Sequence, residues 1–305
     1  MTEGAALVLE SAGPAAHPVA VLSWALFIGG GLILLLVLAF LWIALRGSER
    51  LKTRLANERT VLALGFFFPI GVLTVLLVIG LTMTASLASS ERRPGALDVR
   101  ITGERWWWRI NYPGFETANE LVIPVGRPVH LELRSTNVIH SFWVPQLGGK
   151  RDMVPGRINH LNLQADRPGI YFGICAEYCG GPHALMQFRV RALPPADYAA
   201  WEANQQLPIP PALANAPGAR RFDALGCGSC HRVRGMIAGG ITGPELTHLA
   251  TRTTIAAGIL PNTTENLTRW TRHAEEVKPG NLMPAYPYLS EAEAHEVSQW
   301  LSMLE

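Results

Sequence analysis

A chain of 305 residues has room for two or three small domains, and with 49% hydrophobic against 16% charged residues it is too apolar for an ordinary soluble chain. Its formal net charge of +2 averages one basic loop over nearly balanced segments, and no basic patch interleaved with aromatics points to nucleic acid.

Residues 1–18 contain no Lys or Arg, so the charged start of a secretory signal is missing and no cleavage is expected there. Val19–Leu45 and Val61–Leu87 are uncharged runs of 27 residues each, and about 20 residues already span a bilayer core. Both are predicted as transmembrane helices within an N-terminal region 1–95. The connector Arg46–Thr60 carries Arg46, Arg50, Lys52, Arg54 and Arg59 against Glu49 and Glu58, which places it on the cytoplasmic side. Everything after Leu87 then lies on the outer face, which in a bacterium is the periplasm or cell exterior. Pro69 inside the second run is tolerable where neighbouring groups satisfy the freed carbonyl.

From Ala96 to Ala192 the texture changes to short alternating runs divided by Gly and Pro: 98–102, 106–112, 120–123, 129–135, 159–164, 170–174 and 187–191. These predict an antiparallel β-sandwich. Val129, Leu131 and Leu133 share one face, so His130 points the other way and is expected in solvent, as is His160 by the same alternation. Residues 193–217 are rich in Pro and Ala and predict a semi-rigid linker with one short helical turn around Asp197–Asn204. The last unit, 218–305, ends in a helix announced by Ser290-Glu-Ala-Glu293, a capping box ahead of Val297, Trp300, Leu301 and Leu304.

Two stretches carry chemistry. Cys175-Ala-Glu-Tyr-Cys179-Gly-Gly-Pro-His183-Ala-Leu-Met186 sets two thiols, an imidazole and a thioether inside twelve residues. Thiolate, thioether and imidazole form the soft donor set that favours copper, where calcium or magnesium would call for carboxylates. A second imidazole must come from elsewhere, and His140 is the candidate. Gly226-Cys227-Gly-Ser-Cys230-His231 holds the Cys-x-x-Cys-His pattern of covalent haem c attachment, with Cys227 and Cys230 as thioether donors and His231 as axial ligand. Two disulfides or a redox pair are the alternative use of these four cysteines.

The cysteine pair with its following His and Met resembles the binuclear copper site, CuA, of cytochrome c oxidase subunit II. The resemblance covers residues 19–192. It includes the two apolar runs, the segment Asn137-Val-Ile-His140-Ser-Phe, the turn Met153-Val-Pro-Gly156 and the aromatic run Trp106-Trp-Trp108. It implies a two-helix membrane hairpin followed by a cupredoxin-like sandwich over 96–192. It further implies bridging by Cys175 and Cys179, one copper on each of His140 and His183, and completion by Met186 and the Glu177 carbonyl. The Glu177 carboxylate is implied in a shared magnesium or manganese site whose other ligands come from subunit I. Trp106 matches the surface tryptophan through which electrons enter.

The last unit resembles class I cytochromes c, an all-α fold. Asn281-Leu-Met283-Pro284 matches their distal loop and implies Met283 as the second axial ligand, while Gly243-Pro-Glu-Leu246 matches the loop after the haem motif. Met236, five residues past His231, is expected not to reach across the ring; His248 is expected at the surface or haem edge, and His273 and His295 in solvent. Together the modules resemble oxidases with a cytochrome c domain fused to subunit II, tethered so that docking becomes intramolecular. The implied partners are subunit I and other oxidase subunits, a cytochrome c or other donor, and the bilayer. Two readings compete with the oxidase: a copper-bearing nitric oxide reductase subunit, and a freestanding membrane-anchored carrier. One position departs from the family: Leu62 stands where many members carry a Glu near a proton pathway, so no proton-uptake role is carried over.

Overall fold

The computed structural model describes residues 9–87 and 89–305. The expectation of an unprocessed start falls in part on residues 1–8, outside the described residues. The chain forms two compact units: one is His17–Ser89, and the other joins Ser90–Glu305 with the segment up to Ala16.

The first unit is a helical hairpin. Helix α1 (His17–Arg46) and helix α3 (Glu58–Leu87) each run 30 residues, long and apolar enough to cross a membrane, and a short basic helix α2 (Glu49–Leu55) joins them. Of their side chains only Ala20 is buried among the described residues, and Leu35 and Phe67 are well exposed, so these are not the buried helices of a soluble core. Asn57 caps α3 by accepting from Thr60 N–H at 3.0 Å. A wide turn over Ala63–Phe67, closed by Phe68 N–H on the Ala63 carbonyl, lies just ahead of Pro69, whose ring nitrogen cannot donate.

The second unit begins with a β-sandwich. Its strands are β1 (Leu97–Glu104), β2 (Trp107–Tyr112), β3 (Phe115–Ala118), β4 (Glu120–Pro124), β5 (Val129–Ser135), β6 (His140–Trp143), β7 (Arg151–Met153), β8 (Asn159–Leu163), β9 (Gly169–Cys175) and β10 (Gln187–Leu193). One sheet has the order β3-β2-β1-β5-β8, the other β4-β10-β9-β6-β7. The expectation of purely antiparallel sheets is corrected: β1 pairs β5 and β4 pairs β10 in parallel. Alternation reports which face is buried and carries no information on the direction of the neighbouring strand. Strands β3, β6 and β7 were not anticipated either; β6 is buried for three of its four residues, so it has no polar-apolar alternation to read.

Inward residues of both sheets form one core in which Trp108, Phe142 and Phe188 meet with ring centroids 4.5–5.9 Å apart. Full burial of each such ring stabilises the sandwich by about 1.5–3 kcal/mol. Of the three adjacent tryptophans, Trp108 is the core residue, and β2 starts one residue after Trp106. His130 and His160 are not in open solvent: they are half-buried, their rings stack at 4.9 Å, and His130 Nδ1 lies 3.0 Å from Asn162 Oδ1. Two long outward imidazoles on neighbouring strands cover each other.

The Pro/Ala-rich segment is more ordered than its composition implies. Helix α4 (Pro195–Gln205) has 11 residues rather than one turn, and α5 (Pro211–Ala214) follows. Pro195 opens α4 at the position where proline is favoured, which a linker reading mistakes for a break. Tyr198 is buried and Trp201 packs edge-on against Tyr112 at 5.3 Å and Phe115 at 5.6 Å, fixing α4 to the sandwich.

The remaining helices are α6 (Pro217–Ala224), α7 (Thr264–Val277) and α8 (Glu291–Leu301). The capping box at Ser290 and Glu293 is formed, and Val297, Trp300, Leu301 and Leu304 are buried. Phe222 of α6 and Trp300 of α8 meet at 5.2 Å.

Candidate functional sites

The cysteine loop connects β9 to β10 at one end of the sandwich. Backbone bonds fix it: Cys175 N–H donates to the Met186 carbonyl at 3.0 Å, Ala176 N–H to Ser141 at 2.9 Å, and His183 N–H to Gly180 at 3.1 Å. His140 heads β6, the neighbour of β9, with Phe142 paired to Cys175. His140, Cys175, Cys179 and Met186 are buried, and His183 is half-buried.

The donor atoms converge. Cys175 Sγ lies 3.8 Å from Cys179 Sγ, 3.8 Å from His140 Nδ1 and 3.2 Å from the Glu177 carbonyl. Cys179 Sγ lies 3.5 Å from His183 Nδ1 and 3.8 Å from Met186 Sδ. The sulfurs are far beyond a disulfide bond of about 2.05 Å, and all four cysteines are free. Sulfurs at this spacing leave room for a first-row metal bonded to both at about 2.3 Å, on either side of the line between them. Three of the donors, from His140, Cys175 and Cys179, lie within 4.8 Å of one another. The hydrogen bond between the sulfurs holds Cys175 well below the usual thiol range and pushes Cys179 above it. A metal ion bound between them would hold both as thiolates.

The imidazole is aimed by its surroundings. His140 Nε2–H donates to Asn137 Oδ1 at 3.4 Å, which leaves Nδ1 facing the sulfur. Its ring covers the backbone of Gly103, where a Cβ would stand 2.7 Å from the ring. Glu177 turns its carboxylate outward to Lys150 at 3.4 Å, and Asp152 lies 3.5 Å from the same ammonium.

The second site is a cavity lined by Cys227, Cys230, His231 and Met283 and closed from the sandwich side by Trp106 and Trp107. The tight turn Cys227–Ser229, with His231 N–H on the Cys227 carbonyl at 3.0 Å, brings both cysteines and the histidine to one wall. His231 Nδ1–H donates to the Pro244 carbonyl at 2.7 Å and leaves Nε2 free to bind a metal; burial lowers its proton affinity and favours the neutral ring. Met283 stands on the same cavity, its loop tied by Met283 N–H to Asn281 Oδ1 at 2.8 Å. The donor set and apolar lining therefore fit a haem.

Met236 does not line this cavity, as expected. His248 departs from its expected place at the surface or haem edge. It is buried, with Nδ1 at 2.7 Å from the Glu305 carbonyl and Nε2 at 2.9 Å from the Leu207 carbonyl, so it fastens backbone segments together. His295 is exposed and His273 is half-buried beside Glu276 at 3.1 Å.

The two sites adjoin. Trp106 Nε1–H donates to the Cys179 carbonyl at 2.8 Å, and the indole lies so close to Gly180 (φ +112) that a Cβ there would stand 3.1 Å from it. Around this contact Thr253 N–H donates to buried Glu120 at 2.8 Å, Gln187 N–H to Ala257 at 3.0 Å, and Arg109 to the Ile241 carbonyl at 2.6 Å. The C-terminal unit is thus docked on the sandwich, where a semi-rigid tether was expected. Lys278 is the functional candidate that the sequence did not reveal: it is buried on the cavity wall, and burial pulls its amine down to about 7 while Cys179 acts in the opposite sense.

The family described as cytochrome C oxidase subunit II, periplasmic domain, matches residues 109–193, and cytochrome c matches residues 215–305. Cytochrome c oxidase subunit 2 of Alkalihalophilus pseudofirmus is 40% identical over 246 residues, 78% of this chain and 71% of that protein. The chain belongs to the cytochrome c oxidase subunit 2 family. The Bacillus sp. (strain PS3) subunit 2 is 33% identical over 81% of this chain and 73% of its own length. The crystal structure of the periplasmic domain of subunit II from Bradyrhizobium japonicum is 29% identical, covers 39% of this chain and 97% of that domain, and superposes with a TM-score of 0.37. As a subunit 2 with a cytochrome c module, the chain has two apolar N-terminal helices, a cupredoxin-like sandwich and a helical cytochrome c region. The two modules imply copper and haem, and the family implies the other subunits of a haem-copper oxidase.

Proposed function

We propose that this chain is the electron-accepting subunit II of a terminal oxidase. It takes electrons from a cytochrome c or other donor and passes them to subunit I, where oxygen is reduced to water with proton translocation. One observation carries the reading: Trp106 lines the cavity of His231 and Met283 and donates a hydrogen bond to the backbone of Cys179. The two cofactor sites have one residue in common.

Cys227 and Cys230 would hold one haem c by thioethers, with His231 and Met283 as its axial ligands. Cys175 and Cys179 would bridge two copper ions, His140 and His183 would each bind one, and Met186 and the Glu177 carbonyl would complete the CuA set. When bound, the two groups supply one-electron exchange. The chain's residues fix the donors so that little rearranges on a change of charge, which is the service of a stiff sandwich and of outer partners such as Asn137. Trp106 is the residue through which electrons reach the copper loop. The Glu177 carboxylate, beside Lys150 on the surface, would join a magnesium or manganese site completed by subunit I. In this division of labour the bond-breaking step on oxygen would belong to subunit I, and this chain would carry electrons to it.

The domain limits follow this division of labour: 1–95 for the membrane hairpin, 96–192 for copper, 193–217 for the connector and 218–305 for haem. Ala12 N–H donates to the Gln146 carbonyl and Ala12 in turn accepts from Asp166 N–H, both at 2.8 Å, so residues before the first span and after the second meet on one side. With the basic α2 region cytoplasmic, that side is the periplasmic face of a bacterial inner membrane. Leu62 leaves the proton-uptake role unassigned.

Isolation of the assembled complex in mild detergent tests the function. Oxygen uptake with a co-purified high-spin haem is expected. Nitric oxide turnover without oxygen uptake would establish the reductase, and purification of the chain alone would establish a freestanding carrier. Met283→Ala tests the axial ligand: the haem potential is expected to fall and the sulfur-to-iron absorption band to vanish, because His with Met gives a higher potential than bis-His ligation. An unchanged spectrum would mean that another residue binds the iron.

A further inference from the structure

Lys278 occupies the point where α7 ends and the loop carrying Met283 begins. The backbone leaves the helix there with φ −141 and ψ 82. Its side chain turns inward and is only 3% exposed. Lysine is almost never buried to this degree unless an opposite charge accompanies it. Among the described residues no carboxylate forms an ion pair with Lys278. Its Nζ instead donates to the Trp106 carbonyl at 2.7 Å and to the Ala256 carbonyl at 3.4 Å. An apolar side chain of the same length would fill the space without the desolvation cost, so packing does not account for a lysine here.

The acceptors are informative. One belongs to the sandwich and the other to the haem unit, so a single amine ties the two together. Ala256 (φ 55) and Ala257 (φ 62) are both left-handed, a conformation uncommon for alanine. That backbone presents two successive carbonyls at the domain junction: Ala256 accepts from Lys278 within the haem unit, and Ala257 accepts from Gln187 N–H of the sandwich at 3.0 Å. Strained backbone held in place by its surroundings is a mark of functional geometry. Trp106 is consequently gripped at both ends: the copper loop takes its indole N–H, and the haem unit takes its main-chain oxygen.

We propose that Lys278 is a positioning residue for electron transfer, fixing the Trp106 main chain so that the indole bridges the haem cavity and the Cys179 backbone. This rests on the reading of Trp106 given above. Because the amine is on the segment that leads into the Met283 loop, the same contact sets the distance between that loop and the tryptophan.

The test uses the full chain assembled in its membrane with haem and copper. After photoreduction of the haem, the rate at which its electron reaches the copper centre is measured in the unaltered chain and in Lys278→Met, Lys278→Gln, Lys278→Arg and Trp106→Ala. In Lys278→Met the rate is expected to fall about tenfold, with the haem spectrum and copper content unchanged; misplacement by 1 Å is felt on this scale or a larger one. Lys278→Gln, the second neutral variant, is expected to be slowed as well, and serves alone if the methionine variant does not assemble. Lys278→Arg, which restores a long donor, is expected to recover most of the rate. Unchanged transfer in the neutral variants beside slow transfer in Trp106→Ala would overturn the role of Lys278 and leave the tryptophan reading intact. Unchanged transfer in Trp106→Ala would overturn both.

Discussion

Replacing Cys179 by serine in the full chain is expected to abolish the paired copper centre and to stop oxygen uptake while the haem stays in place. Copper content should fall from two ions per chain to one or none, and the multi-line mixed-valence electron paramagnetic resonance spectrum should give way to a single-copper signal or to silence. Electron delivery to oxygen should drop by at least about 10²-fold, more than the 10–100-fold that loss of an outer partner of a metal site costs. The reason lies in the distances. Cys179 Sγ lies close to three other donors, at 3.8 Å from Cys175 Sγ, 3.5 Å from His183 Nδ1 and 3.8 Å from Met186 Sδ. A serine hydroxyl is a hard, protonated donor in place of a soft anion, and it does not bridge two copper ions at neutral pH. Retention of two copper ions with the multi-line spectrum in Cys179→Ser would refute the bridging assignment.

The selectivity of that loss is part of the prediction. The second cavity is lined by Cys227, Cys230, His231 and Met283, which form no hydrogen bond to Cys179 among the described residues, and its histidine is oriented by Pro244. Steady-state spectra of the variant should therefore show haem c reduced by the donor and unable to discharge. A variant that lost both centres would report misfolding of the sandwich instead.

The parts of this molecule that were legible in the sequence are the parts whose chemistry is local. Cys175 to Met186 and Cys227 to His231 are each a dozen residues or fewer, so spacing alone offers their clustered sulfur and imidazole donors, while His140 and Met283 lie outside both stretches. The two long apolar helices were legible because their uncharged runs are apolar all round, as a membrane span is. Strand faces were read from alternation, as with Val129, Leu131 and Leu133, all fully buried. Strand direction was not, because the parallel pairing of β1 with β5 depends on the path between them. Nor was α4, whose opening prolines resemble a linker until Trp201 is seen against Tyr112. The docking of the haem unit lay furthest out of reach: the bond from Lys278 to Trp106 joins residues 172 apart in sequence, and nothing in Val277-Lys278-Pro279 distinguishes a buried lysine from a surface one. His248 shows the converse error, since an imidazole after the Gly-Pro-Glu-Leu turn looks like a surface or haem-edge residue and proves to be a buried backbone fastener.

Trp106→Ala is expected to slow passage of electrons from haem to copper by roughly 10²-fold, a scale on which even a 1 Å change of geometry is felt. The indole makes one direct hydrogen bond, 2.8 Å to the Cys179 carbonyl, and Cys179 itself is a copper-ligand candidate. Alanine removes both the ring and that bond and leaves a gap that water or void must fill. Trp106→Phe keeps an aromatic ring against Gly180 but loses the donor, so an intermediate rate is expected. Trp107→Ala supplies the contrast. Trp107 lines the same cavity, yet its ring lies under Arg109 at 4.7 Å and makes no bond to the copper loop, so its loss should leave the transfer rate within about threefold of the unaltered chain, a spread ordinary for context-dependent packing effects. If Trp107→Ala and Trp106→Ala slow transfer equally, the cavity wall as a whole matters and Trp106 has no special place in it. If only Trp106→Ala does, the path runs through Trp106.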